Sequence, residues 1–299
     1  MTDADPQRVA CMQDLLADIG QRLASGELVA SEAVCLAVEC MENEPLYNAG
    51  RGSVLDAEGN ISMDASIMRG HDQAAGSVVG LQSSRHPVRA AKRLMENGWP
   101  VMLAGPAGDV FAAENGVEQV EKAWLETQLR RAQWDKWRRE RLRPGATDEE
   151  DALLDHDAEH DGWGTVGAVA LDVHGNLAAA TSTGGMTGKP PGRVGDTPII
   201  GAGTWADKHI AVSCTGVGEA FIRTAAAHAV ASFHQDRSLE SAAEAMLDLV
   251  EPLGGRGGVI AVNQKGEVVM PFRTMLMYRG WYRDGAVDVG IGPSFLQSS

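Results

Sequence analysis

The chain has 299 residues, and 41 Asp and Glu against 26 Lys and Arg give a formal net charge of −15, which argues against a partner held mainly through phosphates. Hydrophobic content of 44% suits a folded globular protein, no stretch approaches the roughly 20 apolar residues of a spanning helix, and the N-terminus carries no secretory leader pattern. The four cysteines, Cys11, Cys35, Cys40 and Cys214, form no CxxC pair and are too few for a disulfide scaffold, so we expect a soluble, reduced, cytoplasmic protein that binds neither nucleic acid nor membrane.

Asp5 followed by Pro6 reads as a helix start, and Val9, Met12, Leu15, Leu16, Ile19 and Leu23 recur behind it at helical spacing. A second helix is predicted over 31–42, ended by Pro45, and the Asn48-Ala49-Gly50-Arg51-Gly52 segment reads as a loop. Short strands follow at 61–68 and 76–81, then a helix at 87–97, a buried strand at 101–104 and a short helix at 109–115.

Between about 117 and 164 the texture changes. Arg130, Arg131, Lys136, Arg138, Arg139, Arg141 and Arg143 surround Trp134 and Trp137, a pattern that also occurs in single-strand nucleic-acid binders. The acidic stretch 148–161 cancels this charge, so the plainer reading is a solvated helix and a disordered linker. His156 and His160 among those carboxylates carry only a weak metal-site signal.

Beyond the linker, 165–172 and 177–183 alternate across His174-Gly175-Asn176 as a hairpin. Strands are predicted at 199–203 and 210–214, Ala-rich helices at 219–234 and 239–250, and a last hairpin at 257–262 and 268–272. Strands with helices outside them suggest a layered α/β or α+β domain.

The chemistry concentrates at Gly164-Thr165, where the linker runs into a strand beginning with Thr. A hydroxyl needs a base to become nucleophilic, and a Thr at a chain terminus carries one in its own α-amino group, whose pKa of about 7.7 suits neutral pH. That requires scission after Gly164. The dipeptide alone is weak, since most Gly-Thr steps do nothing, but three clusters strengthen it. Hairpin pairing returns Thr183 to the same end of the sheet as Thr165. Arg193 and Asp196, three residues apart on a Gly-rich loop, suit the α-carboxylate and α-amino group of an amino acid; the alternative is a surface ion pair worth less than about 1 kcal/mol. Thr215, Gly216 and Gly218 end a strand before a helix, where hydroxyl and N–H donors aim at an oxyanion, or form an ordinary turn.

Residues 164–170, 181–187, 191–196 and 213–219 together resemble the plant-type L-asparaginase / isoaspartyl peptidase family of Ntn-hydrolases, and the similarity extends through 45–115 and 254–278. The resemblance implies an α+β fold, a four-layer αββα sandwich in one domain over 1–299. It implies autocleavage at Gly164/Thr165 into an α subunit (1–164) and a β subunit (165–299), assembled as a dimer of αβ heterodimers. By position, Thr165 would be the nucleophile and Thr183 its hydroxyl partner. Arg193 and Asp196 would clamp the aspartyl head, with Gly218 adding a backbone contact, and Thr215 and Gly216 would form the oxyanion hole. The implied reaction is hydrolysis of asparagine or β-aspartyl (isoaspartyl) peptides through an acyl-threonine, with no catalytic cofactor. A structural sodium would be held by carbonyls of Met41, Glu42, Glu44, Tyr47, Ala49 and Arg51.

Two departures set further expectations. Family chains usually begin with a strand running into a His-Gly-Gly-Ala-Gly turn, and nothing like it precedes the Asp5 helix. The expectation is a missing first strand, replaced by another segment, supplied upstream of a truncated start, or absent from an uncleaved, inactive homologue. Arg273 and Leu276 stand where the family tends to have Asn and Gly, so they are expected to narrow or recharge the pocket rim. A cysteine enzyme using Cys214 is the poorest reading, since that residue sits inside a strand as a small apolar side chain.

Overall fold

The computed structural model describes residues 5–141, 164–292 and 295–296. The acidic stretch 148–161, with His156 and His160, lies outside the described residues.

Two helices open the chain, α1 (Asp5–Ala24) and α2 (Ala30–Asn43). Five strands then form the first sheet: β1 (Met63–Arg69), β2 (Ala75–Leu81), β3 (Met102–Ala104), β4 (Val166–Leu171) and β5 (Leu177–Thr183), in the order β3-β2-β1-β5-β4. Helix α3 (Pro87–Asn97) and α2 pack on one face, α3 over β1 and β2 and α2 over β4 and β5. The second sheet runs β6 (Thr204–Ala206), β7 (Ile210–Gly216), β8 (Gly257–Asn263) and β9 (Val268–Val269). Three helices lie near it: α7 (Gly218–Thr224), α8 (Ala226–His234) and α9 (Leu239–Val250), after α4 (Pro106–Glu114), α5 (Lys122–Leu125) and α6 (Gln128–Arg141) in the first half. Strands β4 and β5 lean on β7, and β1 and β5 on β6, so the two sheets face one another.

Strand β5 shows why both of its faces are buried. The two-residue period sends Ala178 and Ala180 into the core under the helices and Leu177 and Ala179 into a core between the sheets. Small side chains let helix and sheet approach closely on both sides. Further along, the space between the sheets becomes polar: Thr181 Oγ1 lies 2.5 Å from Thr204 Oγ1 and 2.8 Å from Ser213 Oγ, and Ser66 Oγ donates to Thr204 Oγ1 at 2.8 Å. These buried hydroxyls satisfy one another. Gly167 faces the same layer, and a Cβ there would run into Ser213 Oγ. The β4–β5 hairpin is closed by Asp172, whose carboxylate accepts N–H groups from His174 and Asn176 at 2.9 Å and from Ala30 at the start of α2 at 3.1 Å.

Several expectations are corrected. Residues 199–203 form a turn, with Ile199 N–H bonded to Asp196 O and Ala202 N–H to Ile199 O, and the strand begins at Thr204. The helix expected over 219–234 is broken at Ala225, which takes a left-handed φ of +48°. Strand β3 is an exposed edge, not buried, because among the described residues it pairs only with β2. The α6 helix is not simply solvated: Trp134 is buried and donates its indole N–H to Asp56 O at 2.7 Å, while buried Arg130 donates to Gly52 O at 2.6 Å. Its arginines stack on inward rings, Arg131 at 5.1 Å from the Trp134 centroid. Sequence patterning also missed a third sheet, β10 (Arg279–Arg283), β11 (Ala286–Gly290) and β12 (Phe295–Leu296), against whose first two strands α1 packs. Among the described residues, β4 pairs only with β5, and no helix is long and apolar enough to cross a membrane.

Candidate active site

The register of β4 on β5 brings the two threonines together. Val166 pairs with Ser182, so Thr165 and Thr183 meet at the strand ends, with their hydroxyl oxygens 3.4 Å apart. Thr183 is 4% exposed and accepts the N–H of Gly185 at 3.0 Å, which fixes its hydroxyl toward Thr165. Ser182, on the opposite face, donates to Glu42 at 2.6 Å, anchoring this strand end to α2.

Sequence reasoning missed Asn48, reading its segment only as a loop. Its side chain lies against Gly164, its Nδ2 donates to Gly185 O at 2.6 Å, and its carbonyl accepts the N–H of Gly184 at 2.9 Å. One asparagine therefore holds both the Gly164 side of the Gly164–Thr165 bond and the segment after Thr183. The only signal available in the sequence was a buried-type Asn inside a Gly-rich turn.

The Gly-rich loop after β5 carries Arg193 and Asp196. The alternative reading, an Arg193–Asp196 ion pair, does not hold: Arg193 forks onto Glu219, at 2.8 Å from Nε and 2.9 Å from Nη2. Asp196 is buried, its Oδ2 lacks a hydrogen-bond partner among the described residues, and burial pushes its carboxyl up to about 7 against the opposing pull of its own N–H and of Arg193. Gly218 closes this corner, since a Cβ there would sit 2.9 Å from Asp196 N and 3.0 Å from Arg193 Nη2. The orphan Oδ2 of this buried carboxyl suits a ligand's ammonium, and Arg193 would have to share its fork with Glu219 to hold a carboxylate.

Thr215 and Gly216 end β7, paired with Gly258 and Gly257. Gly216 takes a φ of +153° and abuts Arg256 O and the Phe221 ring, a place without room for a side chain. Both residues line a cleft of about 940 Å³ that also reaches Asn48, Gly164 and Thr165 and runs along β4 to β10, while Arg193 and Asp196 lie outside it. Arg273 lines the cleft too, but its guanidinium pairs with Glu244 and Asp248 on α9, so its charge is neutralised rather than added to the rim. Cys214 is 1% exposed and burial raises its thiol well above the ordinary range, which removes the thiolate a cysteine nucleophile needs.

Around the expected sodium loop, Glu42 O accepts the Arg51 N–H at 2.8 Å and Glu44 O the Tyr47 N–H at 3.1 Å. The carbonyl of Glu42 abuts Gly50 and those of Pro45 and Tyr47 abut Gly52, so main-chain oxygens, the ligand type a hard cation takes, line this turn. Among the described residues, no group of three or more His, Cys, Asp or Glu side chains gathers for a metal.

A family model described as asparaginase matches residues 3–291. The chain is 44% identical to the isoaspartyl peptidase of Escherichia coli, over 89% of this chain and 83% of that one. It is 41% identical to the isoaspartyl peptidase/L-asparaginase of Mus musculus, over 88% and 78%, and 42% identical to a putative isoaspartyl peptidase/L-asparaginase of Dictyostelium discoideum, over 82% and 78%.

Proposed function

We propose, from the premise that this chain belongs to the plant-type L-asparaginase / isoaspartyl peptidase family, that it is an autoprocessing amidohydrolase of β-aspartyl peptides and L-asparagine. The observation that carries the reading is the 3.4 Å approach of the Thr165 and Thr183 hydroxyls at the start of β4, with Asn48 behind Gly164.

In maturation, Thr165 Oγ attacks the Gly164 carbonyl carbon, the Gly164–Thr165 C–N bond breaks as the nitrogen takes up a proton, and water hydrolyses the resulting ester. This frees the Thr165 α-amine and yields an α subunit of 1–164 and a β subunit of 165–299. In turnover that amine takes the Thr165 hydroxyl proton while Oγ attacks the side-chain carbonyl of the aspartyl group. Arg193 holds the substrate α-carboxylate, ionised Asp196 its ammonium, and Gly218 lends a backbone contact. The Thr215 hydroxyl and the Gly216 N–H receive the oxyanion. The leaving amine takes the proton, and water then releases aspartate from the acyl-threonine. No cofactor enters these steps. The carbonyls of Met41, Glu42, Glu44, Tyr47, Ala49 and Arg51 would hold a structural sodium that stiffens the loop carrying Asn48.

The facing sheets with helices outside them support a four-layer αββα sandwich of the Ntn-hydrolase type. The further assembly is a dimer of αβ heterodimers, in the cytoplasm. Intact-mass spectrometry of protein incubated near neutral pH tests the reading: two fragments split at Gly164/Thr165 are expected, and Thr165→Ala should abolish both fragments and hydrolysis. A wild-type chain that stays whole and inactive would make it an unprocessed homologue, and an active Thr165→Ala protein would overturn the nucleophile.

A further inference from the structure

Two residues inboard of each threonine assigned to the reaction lies a residue that the reaction above does not use. Gly167 on β4 stands behind Thr165, Thr181 on β5 behind Thr183, and Ser213 on β7 behind Thr215. The two-residue period of a strand puts each of them on the same face as its threonine, about 7 Å along the chain. These three residues meet one another. Gly167 is the partner of Thr181 in the β4–β5 register, Thr181 Oγ1 and Ser213 Oγ share a hydrogen bond of 2.8 Å between the two sheets, and a Cβ on Gly167 would come within 2.1 Å of Ser213 Oγ. Thr181 and Ser213 are both buried. Their cross-strand neighbours complete the cluster, Ser66 opposite Thr181 in the first sheet and Thr204 opposite Ser213 in the second, and Thr181 Oγ1 also donates to Gly203 O at 3.3 Å.

Thr165 and Thr183 belong to the first sheet, whereas Thr215 and Gly216 belong to the second. The reaction therefore needs the two sheets held at one separation. Apolar contact between them, as at Leu177, Ala179, Ala211 and Val262, is non-directional and does not fix that separation by itself. A hydroxyl hydrogen bond does, since it holds its two oxygens about 2.5–3.0 Å apart, and a buried hydroxyl that loses its partner finds no water in exchange. We propose that Thr181 and Ser213 are positioning residues whose hydrogen bond, admitted by the absent side chain of Gly167, sets the distance from Thr165 to the oxyanion donors Thr215 and Gly216. This rests on the site reading given above. Misplacing a reacting group by about 1 Å costs roughly a hundredfold, and here the loss falls on the transition state, where the oxyanion forms.

The test compares wild type with Thr181→Val, Thr181→Ser, Ser213→Ala and the double variant Thr181→Val/Ser213→Ala. It reads fragment formation at Gly164/Thr165, kcat and KM on a β-aspartyl dipeptide, the inhibition constant of L-aspartate and the urea midpoint. Thr181→Val keeps the shape of the side chain and removes the bond. Both fragments should still form, and kcat should fall about tenfold to a hundredfold, with KM and the L-aspartate constant within about threefold because Arg193 and Asp196 are not altered. Thr181→Ser should recover most of the kcat. The double variant should be about as slow as either single one, since each alone already breaks the bond. If Thr181→Val does not fold, Ser213→Ala reads the same bond from β7. A lower midpoint or a raised KM with kcat unchanged would overturn the inference and leave the pair a structural contact, and so would kcat losses that multiply in the double variant. A folded variant that no longer cleaves would overturn it too, placing the pair in the assembly of the nucleophile. A wild type that neither cleaves nor hydrolyses would instead overturn the site reading, and this inference with it.

Discussion

The half of the molecule around β7 and β8 and the half around β1 and β5 bury different things. Under α7, α8 and α9 the core is hydrocarbon, with Phe221, Leu239, Met246, Leu247 and Val259 at most 2% exposed. Around β1 and β5 the chain buries Glu42, Asp64, Lys189 and Asp196 as well. The buried side-chain oxygens Asp64 Oδ2 and Asp196 Oδ2, without a hydrogen-bond partner among the described residues, belong to this second half, where Glu42 Oε2 and His86 Nδ1 face each other at 3.5 Å. Burial pushes the Glu42, Asp64 and Asp196 carboxyls up. One half supplies stability through apolar burial; the other gives some of it up to bury ionisable groups.

After the total loss expected for Thr165→Ala, the largest way to sharpen this contrast is Leu247→Ala. It deletes a fully buried side chain from the apolar half and should cost about 2–5 kcal/mol, read as a lower urea midpoint, with kcat/KM of the folded protein unchanged. A comparable loss of turnover without a shift of midpoint would break the division of labour.

The polar half should show itself through pH. Asp196 keeps its proton to about pH 7 in the folded state, against an ordinary value of 3.8. The unfolded chain therefore releases that proton first, and this group's contribution to stability falls as pH rises from about 4 to about 7, then levels. A substrate ammonium needs the ionised form, so the L-aspartate inhibition constant should fall about tenfold per pH unit on approaching pH 7 and flatten above it. Asp196→Asn should bind weakly at every pH and lose this dependence. A constant independent of pH between about 5 and 7 in wild type would remove Asp196 from the clamp. The smallest effect belongs to Arg273→Ala, which breaks half-exposed pairs with Glu244 and Asp248; denaturation should register less than about 1 kcal/mol, and kcat/KM should stay within about twofold.

Legibility in the sequence followed the range of the interaction. The β4–β5 hairpin was readable because its turn is local, with Asp172 and Asn176 closing it and a two-residue period running on either side. Pairing across that hairpin is enough to bring Thr183 beside Thr165. Strands β10 and β11 escaped notice because their faces mix Trp and Tyr with Arg and Asp, so no alternation marks them. Asn48 looked like a turn residue because its partners, Gly184 and Gly185, lie 137 positions away in the case of Gly185. The Arg193 partner was invisible for a related reason: the sequence reading set Arg193 beside Asp196 on one loop, and folding supplied Glu219, 26 residues on.

By itself the sequence determined the residue types that the chemistry needs, the hairpin that pairs the two threonines, and the ordered motifs that tie the chain to its family. Those are set by local backbone period, turn residues and functional-group identity, which a linear reading reaches. Only the tertiary structure decided which carboxylates are buried, which cation faces each of them, and which loop lies against Gly164. Those depend on desolvation and on contacts between strands and loops far apart in the chain, and electrostatic energies inside a protein are set by that packing.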